Sequence, residues 1–108
     1  MSGVFHLTAV AAMVPDVAET ELRDWIARGW IAPGGDPPDY VFAEPDISRV
    51  RVVRALRHEA DVAADHLALV LSLLDRMATL RTRLADLDRA VAAQPAAVRA
   101  AIEAMLRG

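Results

Sequence analysis

Apolar positions recur along this chain at helical spacing over most of its length, broken by short runs of proline, glycine and aspartate. The clearest run is Val70, Leu73, Met77, Leu80, Leu84, Leu87 and Val91, in alternating steps of three and four. Such a heptad seam predicts one long helix, about His66 to Ala92, packed against another helix along most of its length. Asp65 is placed to cap it. Gln94-Pro95 interrupts it, because proline is accepted at a helix start and not in a helix interior. A last helix over about Ala96 to Leu106 carries Val98, Ile102 and Met105 or Leu106 as its apolar stripe. It either folds back on the long helix as a hairpin or packs across a dimer seam.

The first half reads as a series of shorter elements. Val4 to Leu7 predicts a short strand. Thr8 is a candidate N-cap for a helix over Ala9 to Met13, ended by Pro15-Asp16. A second helix fits Ala18 to Arg28, with Leu22, Trp25 and Ile26 on one face and acids in the first turn, where the helix dipole favours them. Gly29 suits the left-handed residue that closes it. Residues 33–39 (Pro-Gly-Gly-Asp-Pro-Pro-Asp) predict a turn. Tyr40-Val41-Phe42 has high strand propensity and is expected to pair with Trp30 to Ala32 as a small wing. Asp46 is a candidate cap for the next helix, Ile47 to Ala60, with Val50, Val53, Leu56 and Ala60 on its buried side and Arg51, Arg54 and His58 on the other. Helix, turn, helix and wing in that order resemble a MerR-like winged helix-turn-helix. The expected fold is mainly α: a degenerate head of this kind over 1–60, then a coiled-coil or hairpin region over 61–108.

The chain is 108 residues long, enough for a core without disulfides or metal. It has no cysteine, so thiolate sites and disulfides are excluded. No apolar run reaches membrane-spanning length, and Met1 to His6 lacks the pattern of a secretory leader, so a cytoplasmic protein is expected. All twelve basic residues are arginine. Charge is unevenly shared. Residues 1–48 carry eight acids against Arg23 and Arg28, a net charge near −6, whereas residues 49–108 carry seven acids and ten arginines, near +3.

This division changes the functional expectation. The helix that a helix-turn-helix would lay in the major groove reads Ala18-Glu19-Thr20-Glu21-Leu22-Arg23-Asp24, and the expected wing carries acids and no base. Phosphates would repel both. Arg49, Arg51, Arg54 and Arg57 favour DNA, but a solvated helix face accounts for them equally well. An acidic head suits a basic protein surface better. Catalysis finds no foothold. His6, His58 and His66 have no zinc-protease spacing, and Ser2, Ser48 and Ser72 sit in no nucleophile motif. Gly34-Gly35 lies among prolines and aspartates, which suits a turn rather than a phosphate cradle. No enzyme, cofactor or metal is expected. Along the seam, with Val70 at position a, Arg76 and Arg83 fall at g and Arg81 and Asp88 at e. In a parallel dimer Arg83 meets Asp88, but Arg76 meets Arg81, so antiparallel packing stays open.

The run Arg49-Val50-Arg51-Val52-Val53-Arg54-Ala55-Leu56-Arg57-His58-Glu59, followed by Leu69-Val70-Leu71-Ser72-Leu73-Leu74-Asp75, resembles the CbpM family of chaperone modulators. Tyr40-Val41-Phe42, Asp46-Ile47, Leu80-Arg81, Glu21-Leu22, Gly29-Trp30-Ile31 and Pro33 extend the resemblance over nearly the whole chain. The chain departs from the family at Ala60 to Asp65, where members often carry a glycine or Pro-Gly element. The resemblance implies binding to the J-domain of a CbpA- or DnaJ-type co-chaperone, and inhibition of its stimulation of a DnaK-type chaperone. J-domains engage DnaK through a basic helix and a His-Pro-Asp loop, so an acidic modulator would compete by masking. The candidate partner-binding residues are Arg54, Arg57, His58, Glu59, Asp61 and Asp65. Arg57 and His58 could equally tie the head to the long helix. Val70, Leu73, Met77, Leu80, Leu84 and Leu87 are the candidate seam, and a homodimer is expected. The alternative is a MerR-type DNA-binding transcription regulator.

Overall fold

The structure, a computed structural model, describes residues 3–108; Met1 and Ser2, weighed above, lie outside them. The chain is mainly helical. Its elements are β1 (Phe5–His6), α1 (Leu7–Met13), α2 (Glu19–Ala27), β2 (Gly34–Asp36), β3 (Asp39–Phe42), α3 (Glu44–Arg54), a π turn (Ala55–Glu59), α4 (Ala64–Ala92) and α5 (Ala96–Arg107). Two compact units form, one reaching to Leu71 and one spanning Ser72–Gly108.

In the first unit, Leu7 and Val10 from α1, Leu22 and Trp25 from α2, Phe42 from β3, and Ile47, Val50 and Val53 from α3 are buried together. Leu67 and Leu71, from the first turns of α4, complete this core. Burial of side chains this large supplies the main stabilising free energy, at roughly 25 cal/mol per Å² of apolar surface removed from water.

The sheet is antiparallel, with β3 between β1 and β2. The wing differs from expectation. Phe42 and Val41 pair with Phe5 and His6, while Val41, Tyr40 and Asp39 pair with Gly34, Gly35 and Asp36. The second wing strand is thus Gly34–Asp36, inside the expected turn, and not Trp30 to Ala32. Trp30 and Ile31 are almost wholly buried instead. Their large apolar side chains gain more from the core than from an exposed sheet edge. The Trp30 N–H donates to the Trp25 carbonyl at 3.0 Å, which closes α2 through Gly29 at φ +76°.

Helix starts also differ. α1 begins at Leu7 with His6 at the cap, so Thr8 lies inside the helix. α3 begins at Glu44 after Ala43; Asp46 is not the cap but sits one turn in, and its Oδ2 accepts from the Ala43 N–H at 2.8 Å. This is the back-bond of a capping box made without a hydroxyl partner. Asp65 is likewise inside the first turn of α4, where its charge still favours the dipole.

The helix expected to run to Ala60 changes pitch after Arg54. The Ala60 N–H donates to the Ala55 carbonyl at 2.9 Å, a π-type bond, and Val62 N–H donates to the Leu56 carbonyl at 2.8 Å. The wide turn rotates the following side chains out of register, so Ala60 is exposed rather than buried. Asp61, at φ +52°, then turns the chain toward α4.

In the second unit the short helix does not cover the seam. Leu73, Met77, Leu80, Leu84 and Leu87 are 46–61% exposed, and Met105 and Leu106 of α5 are about four-fifths exposed. Leu87, Val91 and Ala92 of α4 line one cleft with Arg99, Ile102 and Leu106 of α5, so the last helix folds back only against the end of α4. No helix among the described residues is long and apolar enough to cross a membrane.

Candidate partner-binding surfaces

The first surface is the corner formed by the end of α3, the π turn and the loop between α1 and α2. Arg54 organises it. Its Nε donates to the Pro15 carbonyl at 2.7 Å, one terminal nitrogen donates to Glu59 Oε1 at 2.7 Å, and the other approaches Asp16 Oδ2 at 3.5 Å. Asp16 stands in the left-handed region at φ +61°, which aspartate tolerates better than most residues. The Glu59 carboxylate, and less strongly that of Asp16, pushes the Arg54 pKa above its ordinary value, against a smaller desolvation effect.

The neighbouring bases are also turned inward. Arg57 donates to the Val62 carbonyl at 2.8 Å, a bond that spans the π turn and holds the approach to α4. His58 Nε2 lies 2.9 Å from Glu21 Oε2, and its ring stands 6.3 Å from that of Trp25. The π turn makes this reach possible by swinging His58 toward α2. Higher on α3, Arg49 donates to the Trp30 carbonyl at 3.1 Å.

The acids behave differently. Asp16, Glu59, Asp61 and Asp65 are all exposed. Of the six candidate contact residues, Arg54, Arg57 and His58 thus act within the fold, while Glu59, Asp61 and Asp65 face solvent. Asp16, Glu21 and the Pro15 carbonyl belong to the corner as well, and sequence reasoning missed them. The Pro15-Asp16 break marked a chain reversal, but no local pattern told which later residue would cross it.

On α2, Arg28 is bound to Asp24 at 2.9 Å and lies 5.1 Å over the Trp30 ring. The helix that a DNA reader would insert therefore spends one of its two arginines on its own acid and on an aromatic face.

The second surface is the apolar stripe of α4 and α5 within residues 72–108. At the end of α4 it opens into a cleft of about 430 Å³ lined by Leu87, Asp88, Val91, Ala92, Arg99, Ile102, Glu103 and Leu106. The walls are aliphatic and the rim charged, which suits an inserted apolar side chain.

Among the described residues, no group of three or more His, Asp or Glu side chains is arranged to hold a metal ion. No family model, no curated protein and no solved structure matches this chain.

Proposed function

We propose that this protein is a chaperone modulator: it binds the J-domain of a CbpA- or DnaJ-type co-chaperone and blocks stimulation of a DnaK-type chaperone. The helix, turn, helix and wing of the first unit are, on this reading, a MerR-like head turned from DNA to protein recognition. One observation carries the proposal. At the corner Arg54, Arg57 and His58 are tied into the fold, Arg54 by the carboxylates of Glu59 and Asp16, while the carboxylates of Asp61 and Asp65 face solvent outside these bonds. The exposed Asp36, Asp39 and Glu44 add to this negative field. Such a surface attracts a basic helix and repels a phosphate backbone. Inhibition follows from masking: a J-domain whose basic helix is covered has no face left for DnaK.

Calorimetric titration of the protein into the purified J-domain, at low and high salt, tests this. The expected result is saturable binding that weakens with salt and is lost when DnaK is in excess. Absence of binding at tens of micromolar at both salts overturns it. Salt-sensitive binding to duplex DNA in a parallel titration would then favour a transcription regulator.

A further inference from the structure

The segment between the π turn and α4 is pinned at Val62. The Val62 N–H donates to the Leu56 carbonyl at 2.8 Å, and its own carbonyl accepts from Arg57 at 2.8 Å. Its side chain packs, half-buried, against the core of the first unit. Both backbone polar groups and the side chain are thus engaged. A loop held in this way meets a partner in one geometry and gives up little freedom on binding.

The residue this loop presents is Asp61. It stands at φ +52° directly after the wide turn, at the helix-closing position where glycine is usual, because a Cβ crowds the left-handed backbone. Aspartate is accepted there when its side chain bonds locally. Here the carboxylate is exposed and bonds to no described residue. No contact within the fold offsets the strain, and strain of this kind persists where it serves a site. Arg57 stands in the opposite position. Its guanidinium makes the bond that fixes the loop, yet its positive charge opposes a basic partner.

We propose that Asp61 is the specificity-determining carboxylate of the partner surface, and that Arg57 is its positioning residue, acting through the Val62 carbonyl without touching the partner. The inference rests on the reading of the first unit as a J-domain binder and deepens it. Asp61 pairs with one lysine or arginine of the partner's basic helix at a fixed place, rather than adding to a diffuse negative field.

Calorimetric titration of the full chain into the J-domain tests it, with circular dichroism and a thermal melt on each variant. Asp61→Asn keeps the size of the side chain and the tolerance of left-handed backbone, and loses only the charge. It is expected to weaken binding by about tenfold or more, with no loss of Tm. Asp61→Gly relieves the strain, so Tm is expected to rise while binding weakens to the same extent; a residue with a purely structural role would not move the two in opposite directions. Arg57→Met removes a positive charge, which by itself would tighten binding of a basic partner. Loss of the bond to Val62 is expected to weaken binding instead, and Arg57→Lys, which keeps a donor, to restore most of it. Absence of binding by the unaltered chain at tens of micromolar overturns the J-domain reading and this inference together. Binding by the unaltered chain that Asp61→Asn or Asp61→Gly leaves unchanged overturns this inference alone. So does a folded Arg57→Met variant that binds as tightly as the unaltered chain, or more tightly.

Discussion

Arg54 shows how one side chain can serve three elements. It joins α3 to the loop before α2 through the Pro15 carbonyl, and to the π turn through Glu59. Its raised pKa means the fold favours the charged form, so any linked stability is fully present below arginine's ordinary range. It is lost only as pH rises through the still higher folded value. The drop in urea midpoint caused by Arg54→Met is therefore expected to be the same from about pH 7 to about pH 10; a drop that shrinks across that window would assign the effect to another group. Two glycines make a second comparison. Gly29 (φ +76°) and Gly35 (φ +79°) both need the left-handed region, but a Cβ at Gly29 meets nothing within 4 Å, while one at Gly35 would lie 2.5 Å from the Asp39 carbonyl oxygen. Gly29→Ala should cost about 1 kcal/mol of stability, from backbone strain alone. Gly35→Ala should cost clearly more in the same denaturation experiment, because the hairpin backbone must move.

At the scale of elements, α4 plays two roles along its 29 residues. Leu67 and Leu71 are buried with the head, and from Leu73 to Leu87 the large apolar side chains are exposed. Leu67→Ala is expected to destabilise the fold by about 2–5 kcal/mol at any protein concentration, as a cavity in a filled core does. An equal loss from Leu84→Ala in a dilute, monomeric sample would contradict this division. The heptad pattern made the helix and its stripe legible in the sequence, because periodicity depends only on neighbours along one helix. It did not show where head packing stops and open stripe begins, since both use leucine at the same spacing. The wing was half legible. The strand propensity of Tyr40 to Phe42 was sufficient, but its partner was decided by competition between the core and a sheet edge for Trp30 and Ile31. The π turn left no local mark at all.

At the scale of the molecule, the two units differ in what holds them. The first has a closed core of large apolar side chains; in the second, the long helix exposes most of its stripe. Isolated helices gain little from propensity alone and need packing for stability. Hydrogen exchange should therefore find slow amides in α2 and α3 at every concentration. The amides of Leu80 to Val91 should become slow only as concentration rises into the range of association. Uniform protection at low concentration would show that residues 72–108 are stable without a second copy.

The sequence by itself determined the mainly helical character, the lengths of the late helices, the heptad stripe and the division into an acidic first part and a basic second part. Each follows from residue type and spacing, which act over one or two helical turns. Only the tertiary structure decided which charges remain for a partner. Arg54, Arg57 and His58 read as surface candidates, and each is bound inward to a carbonyl or carboxylate. Two of these bonds, to Pro15 and to Glu21, join groups 39 and 37 residues apart. Contacts at that separation are set by how the helices pack, and no local pattern in the chain encodes them.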